Sequence, residues 1–189
     1  MRRARRWFIV CTLIAAAGAH AEAPRTAKAM FAAGCFWHTE EAFRKVPGVV
    51  SATSGYSGGT KPDPTYEEVC SDRTGHAESV LVEYDPAKVS YERLLEVFWS
   101  EHDPTTRNRQ GWDVGSQYRS AIFYFTPEQE TAALAAKQRL ERSHRYRQPV
   151  VTEILPAGPF YRAEEYHQRY YEKHPEAEFG HADVPPAAQ

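Results

Sequence analysis

The tightest constraint on the fold lies between residues 29 and 46. Ala29 to Ala33 is a short apolar run of strand length, Gly34 breaks it, and Phe36, Glu40, Phe43 and Val46 then recur near helical spacing. A strand must therefore give way to a helix within about two residues, and Gly34 is the residue able to take the backbone angles of such a turn. Cys35 stands at the start of that helix, followed by Phe36 and Trp37. A thiol in a first helical turn meets unpaired backbone N–H groups and the positive end of the helix dipole, which favour thiolate over thiol. The spacing predicts a sulfur nucleophile flanked by two aromatics, although a buried structural cysteine among core aromatics fits the same residues.

The chain has 189 residues, 42% hydrophobic and 25% charged, enough for one well-buried domain. Its first residues read as a secretory signal peptide: Arg2, Arg3, Arg5 and Arg6 precede an apolar segment from Trp7 to Ala17, and Ala19-His20-Ala21 offers small residues for cleavage. The expected organisation is a leader over 1–21, a catalytic domain over 22–174 and a flexible tail over 175–189. Losing four arginines with the leader takes the formal net charge from −2 to −6, which argues against nucleic acid and anionic membranes as partners. The expected location is periplasmic or secreted, with no membrane contact after cleavage. Cleavage also removes Cys11 and leaves Cys35 and Cys70 in an oxidising compartment, where two cysteines commonly form a structural disulfide.

Further along, Val49 to Thr53 reads as a strand leading into the loop Gly55-Tyr56-Ser57-Gly58-Gly59, which lacks the Lys-Ser or Lys-Thr pair of a phosphate-binding loop. Tyr66 to Ser71 forms a short helix. His76 to Tyr84 alternates as a strand in which Glu78 shares a face with Val80, Val82 and Tyr84. A carboxyl group on such a face is poorly solvated, so its pKa rises and it can hold a proton near neutral pH. Ser90 caps a core helix carrying Tyr91, Leu94, Leu95, Phe98, Trp99 and His102. A long polar loop, Thr105 to Gly115, has the length of a functional loop. Gln117 to Phe125 is expected as a strand and Thr126-Pro127-Glu128-Gln129 as a helix start, that helix running to about Arg145. Val150 to Leu155 is expected as the last strand, Ala163 to Lys173 as a helix, and the chain from His174 on as loosely held. This order predicts a two-layer α+β sandwich with a mixed sheet.

Five linked motifs, Gly34-Cys35-Phe36-Trp37, Gly55-Tyr56-Ser57-Gly58-Gly59, Pro64-Thr65-Tyr66, Gly75-His76-Ala77-Glu78 and Gly111-Trp112-Asp113-Val114-Gly115-Ser116-Gln117-Tyr118-Arg119-Ser120, resemble peptide methionine sulfoxide reductase of the A type in residue, order and spacing. The resemblance covers roughly residues 26–172. It implies a ferredoxin-like α+β fold and reduction of the S epimer of methionine sulfoxide. Cys35 would attack the sulfoxide sulfur, Glu78 would protonate the departing oxygen, and the hydroxyls of Tyr66 and Tyr118 would hydrogen-bond that oxygen. Phe36 and Trp37 would cradle the terminal methyl group, worth about 0.8 kcal/mol plus aromatic contacts. Asp113 matches a polar residue near the cysteine that orients water or substrate.

By the same resemblance no cofactor is bound. The sulfenic acid left on Cys35 is reduced by an external thiol, a thioredoxin-like protein or a small thiol, and the partners are oxidised proteins or peptides containing methionine sulfoxide. The chain is expected to act as a monomer. Many relatives carry resolving cysteines near the C-terminus, whereas no cysteine follows Cys70 here, and Cys70 is expected as a buried thiol without catalytic duty. Two smaller departures are His38, where Gly is common, and Asp63, where Asn is common; His38, at i+3 from Cys35, could perturb the charge on the sulfur. Neither His38 nor His76 has the spacing of a metal ligand pair. Two rival readings remain: a cysteine hydrolase pairing Cys35 with His76 or His102, and a secreted binding module stapled by a Cys35–Cys70 disulfide.

Overall fold

Strand β1 (Ala27–Ala33) is the axis of the sheet, pairing antiparallel with β3 (Ala77–Tyr84) on one side and β6 (Ser120–Tyr124) on the other. The structure, a computed structural model, describes residues 26–178, so the leader and most of the expected tail lie outside the described residues. The six-stranded sheet runs β7-β6-β1-β3-β2-β8, with β2 at Val49–Ser57, β7 at Glu153–Pro156 and β8 at Tyr161–Arg162. Every neighbour is antiparallel except β6 and β7, which run parallel across the connection made by helix α4 (Pro127–Arg142). The expected α+β fold with a mixed sheet is what forms.

Alternation along β1 divides the core. Ala29, Phe31 and Ala33 face the larger layer with Val80, Val82 and Ile122, where α1 (Phe36–Arg44), α3 (Tyr91–Ser100) and α4 supply Phe36, Phe43, Leu94, Leu95, Phe98, Ala133 and Ala136. The Phe31 ring stacks on Phe43, Phe98 and Tyr91 with centroids 4.8, 5.4 and 6.1 Å away. Met30, Ala32, Ala77, Ala121 and Phe123 form the opposite face, against which Ala157 and Phe160 pack. Caps fall where the sequence puts them: Ser90 accepts from Arg93 N–H, Thr126 from Gln129 N–H, and Thr65 opens α2 (Tyr66–Cys70) in a reciprocal capping box with Glu68.

Several boundaries differ from the expected ones. The 105–115 loop contains a two-stranded hairpin, β4 (Arg109–Gln110) and β5 (Asp113–Val114), turned through Gly111 and Trp112. Ser116–Tyr118 is a 3-10 turn rather than strand, because Gly115 at φ +146 redirects the chain and β6 begins only at Ser120. Helix α4 ends at Arg142, short of Arg145, with His144 in the left-handed region. Val150 and Val151 precede β7, since the Val151 amide is held by the Pro104 carbonyl, and β8 follows as an additional strand on the free edge of β2. Of the expected 163–173 helix only α5 (Tyr170–Lys173) forms. The Arg169 amide donates to Glu40 Oε2 at 2.9 Å and Arg169 is left-handed, so no continuous helix passes through it. After it, Pro175–Glu178 is helical (α6) where loose chain was expected.

Candidate active site

The strand-to-helix turn is built as the sequence demands. Gly34 takes φ +89, and a Cβ there would meet the Gln110 side chain at 2.7 Å, so both angle and space require glycine. Cys35 is the N-cap of α1, so the first free amides of that helix open beside it. Phe36 N–H donates to Glu78 Oε2 at 3.0 Å, while the amides of Trp37 and His38 act on the Cys35 sulfur. The helix start thus favours thiolate, as expected, but it is outweighed. Burial of the sulfur and the neighbouring Glu78 and Asp113 charges push the thiol pKa up, against the thiolate that the helix start favours.

Glu78 lies in β3 on the face of Val80, Val82 and Tyr84, 2% exposed. Burial raises its pKa to about 8, against the Phe36 N–H that favours the anion, and Asp113 adds to the rise. The carboxyl is therefore mainly protonated at neutral pH. Tyr66 at the start of α2 and Tyr118 in the 3-10 turn surround the same point: both phenols are shifted up by burial and by the Glu78 charge, and Tyr118 also senses Asp113, Cys70 and Cys35. Both are neutral hydrogen-bond donors at any physiological pH. Asp113, in β5, is exposed, with its charge felt at Cys35, Glu78 and Tyr118. Phe36 is buried; Trp37, half-buried, lies face to face with Tyr170, centroids 3.6 Å apart and planes at 5°. Of the residues singled out from sequence, Glu78, Asp113 and Tyr118 interact electrostatically with Cys35, Phe36 and Trp37 adjoin it in the chain, and Tyr66 interacts with Glu78 and Tyr118.

Comparison with known proteins decides what this constellation belongs to. Residues 27–189 match the family model described as peptide methionine sulfoxide reductase. A protein of Methanoculleus marisnigri carrying that name, MsrA, is 61% identical over 146 residues, 77% of this chain and 89% of its own. Mxr1 from Saccharomyces cerevisiae in reduced form superposes with TM-score 0.76 at 32% identity, over 87% of this chain and 91% of that one. Mxr1 in complex with Trx2 shares the fold at TM-score 0.55 and 23% identity, over 79% of this chain and 87% of that one.

The chain belongs to the peptide methionine sulfoxide reductase family, A type.

It is an oxidoreductase that reduces methionine sulfoxide. Neither histidine of the rival hydrolase reading serves Cys35 in this reductase. His76 accepts from Gly59 N–H at Nδ1 and bonds the Lys61 carbonyl through Nε2. His102 is tied to the Phe98 carbonyl and to Ser120 Oγ, and burial lowers its pKa to about 4. Cys35 and Cys70 are both free thiols, so the described residues contain no staple between them. Cys70 is exposed, contrary to the expected buried thiol, and stands at the end of α2, where partial burial raises its pKa and the Tyr66 phenol of the same helix counters that rise. The imidazole of His38 engages the Tyr171 hydroxyl at 2.9 Å, and what His38 brings to the sulfur is its amide. Asp63 sits at φ +44, a region that Asn and Asp adopt more readily than other residues.

The reductase site also uses residues that the sequence did not mark. Glu164 accepts from Tyr66 N–H at 2.9 Å and from the Tyr56 hydroxyl at 2.8 Å, fixing the start of α2 against β2. The Trp37 indole donates to His167 Nδ1 at 3.0 Å. Gln110 fills the space over Gly34 and is itself held by the Asp103 amide and carbonyl. Glu164 and His167 lie 98 and 130 residues from the partners they hold, and no local pattern announces such pairings.

Proposed function

We propose that Cys35 is the nucleophile and Glu78 the proton donor in reduction of methionine S-sulfoxide, free and in proteins. The observation that carries this reading is a carboxyl group held protonated to about pH 8 and bonded to the amide adjoining Cys35. Oxide is a very poor leaving group, so attack on the sulfoxide sulfur requires its oxygen to be protonated as the bond forms. Glu78 gives its proton to that oxygen, and the thiol proton of Cys35 replaces it on the carboxylate. The amides of Trp37 and His38 stabilise the negative charge developing on the attacking sulfur.

Oxygen passes to Cys35, leaving a sulfenic acid and methionine: Cys35 sulfur is oxidised by two electrons and the sulfoxide sulfur reduced by two. Tyr66 and Tyr118 donate to the sulfoxide oxygen, Phe36 and Trp37 hold the methyl group, and Asp113 orients the polar end of the substrate or water. Two external thiols then restore Cys35 as one disulfide and one water. A thioredoxin-like protein or a small thiol fills that role; that the yeast relative Mxr1 is solved with Trx2 supports the protein donor. The leader over 1–21 places the enzyme, as a monomer with a catalytic domain over 22–174, in the periplasm or outside the cell, where it repairs oxidised exported proteins.

The test is a single turnover without reductant, purified protein being mixed with each sulfoxide epimer and a sulfenic-acid trap. One methionine per chain from the S epimer, with an adduct on Cys35, is expected. Release with a mass two hydrogens lower and no adduct makes Cys70 the resolving thiol, and release from neither epimer overturns the reading.

A further inference from the structure

Tyr66 and Tyr118, read above as the two donors to the sulfoxide oxygen, belong to different elements: Tyr66 opens α2, and Tyr118 ends the 3-10 turn Ser116–Tyr118. Asp72 joins the two. Its amide donates to the Val69 carbonyl at 3.1 Å, which holds the residue against the end of α2. Its carboxylate crosses to the 3-10 turn, 44 residues away, where Oδ1 accepts from the Ser116 amide at 3.0 Å and also from the Ser116 hydroxyl. That amide is the first N–H of the turn and has no receiver within it, and Gly115, in the capping position, has no side chain to offer one. The Ser116 hydroxyl and amide together hold the Asp72 carboxyl below its ordinary pKa, and the Arg119 charge adds to the effect. Ser116 is gripped from its other end as well, since Arg119 Nη1 donates to its carbonyl at 3.0 Å. The backbone at Asp72 takes φ +61, a region open to Gly and entered more readily by Asn and Asp than by other residues. Of these, Gly brings no acceptor.

We propose that Asp72 is a positioning residue for Tyr118: it caps the 3-10 turn from the end of α2 and so sets the placement of one phenol relative to the other before substrate arrives. Tyr118 already acts electrostatically on Tyr66, so the two rings share one region of the site. A donor stabilises a developing oxyanion only when it stands at hydrogen-bond distance from the point where charge appears. A turn released from Asp72 therefore costs rate, and leaves the grip on ground-state substrate as it was. The inference rests on the reading of Tyr118 as a donor to the sulfoxide oxygen.

Asp72→Gly keeps the left-handed backbone and removes the acceptor, whereas Asp72→Asn keeps both the backbone and an acceptor oxygen. In single turnovers without reductant, the maximal rate of methionine release should fall about five- to thirtyfold in Asp72→Gly, with the sulfoxide concentration for half-maximal rate within twofold of native. Asp72→Asn should return the rate to within about threefold of native, and Ser116→Ala, which deletes one of the two donors, should lie between. In a Tyr118→Phe background Asp72→Gly should cost less than about twofold more, since the group it positions is already gone; a general loosening of the fold would slow both backgrounds alike. Hydrogen exchange at the Ser116 amide should quicken about tenfold in Asp72→Gly and stay near native in Asp72→Asn. A native rate in folded Asp72→Gly, no recovery in Asp72→Asn, or the same loss with and without the Tyr118 hydroxyl overturns the proposal. If Asp72→Gly does not fold, the cycle with Tyr118→Phe is run on Ser116→Ala with the same criteria. A native rate in Tyr118→Phe itself would instead strike the reading of Tyr118 as a donor, and the Ser116 exchange rate would still show whether Asp72 holds the turn.

Discussion

Phe36 and Glu78, 42 residues apart, are joined by one hydrogen bond: the first free amide of α1 donates to the carboxyl of β3 at 3.0 Å. The bond locks the helix that begins beside Cys35 to the strand that carries Glu78. It also favours the ionised carboxylate, yet burial overrides it and the carboxyl keeps its proton to about pH 8.

A rate and a stability consequence follow from that carboxyl. If protonated Glu78 is the acid, kcat/KM should be level near neutrality and fall as pH rises past about 8. Glu78→Gln should lower it by about 10²- to 10⁴-fold and abolish that limb. For stability, a folded pKa above the unfolded value means that the native state binds the proton more tightly, so the contribution is complete below the ordinary carboxylate range and is lost as pH climbs through 8. Glu78→Gln should therefore gain stability relative to wild type between about pH 4.5 and 8, as measured by denaturant unfolding at a series of pH values.

Tyr66 has two partners to lose. Tyr66→Phe and Tyr118→Phe should each slow the chemical step by about 10²-fold, the scale of removing one donor to a developing oxyanion, with KM little changed. Tyr66→Phe also takes away the donor that lowers the Cys70 pKa. Cys70 should then be alkylated more slowly by iodoacetamide at pH 8, read by peptide mass, whereas Tyr118→Phe should leave that rate alone. Equal alkylation in all three proteins would break the link between Tyr66 and Cys70.

How far the chain can be read without coordinates depends on how local each determinant is. Strand alternation around Glu78, the caps at Ser90 and Thr126 and the Gly34 turn are decided within a few residues, and they hold in the fold. The gathering of Cys35, Glu78, Tyr66 and Tyr118 was legible through linked motifs, since spacing along one strand or helix could not bring four elements together. What failed was long-range. The 163–173 segment has helical periodicity, but Glu40 takes the Arg169 amide and Gln168 bonds both the amide and the carbonyl of Ser54, so tertiary partners replaced the helix. The dipole argument for a Cys35 thiolate meets an opposing effect of the same kind: the amides were visible in sequence, whereas the burial and the nearby Glu78 and Asp113 that push the thiol pKa up come from distant segments.

Phe31 tests the core that holds these elements in place. Its ring is fully buried and stacked against Phe43, Phe98 and Tyr91, so it bonds β1 to both α1 and α3. Phe31→Ala should destabilise the protein by about 3–5 kcal/mol, measured by urea unfolding, with the aromatic contacts placing it toward the upper end. A loss below about 1 kcal/mol would mean that α1 and α3 are anchored elsewhere.

Gly34 and Gln110 separate two causes that ordinarily act together. In Gly34→Ala the new methyl meets two carbons of Gln110 at 2.7 Å, and the backbone must hold φ +89 with a side chain attached. The collision pushes on the hairpin that carries Asp113, and the strain, about 1–3 kcal/mol, stays in the turn that carries Cys35. Gln110→Gly would remove both colliding carbons without touching the backbone angle at residue 34. Adding it to Gly34→Ala should recover only part of the lost stability, and activity should remain low because the Cys35 turn is still strained. Full recovery in the double variant would show that crowding was the whole effect and that the turn tolerates a side chain.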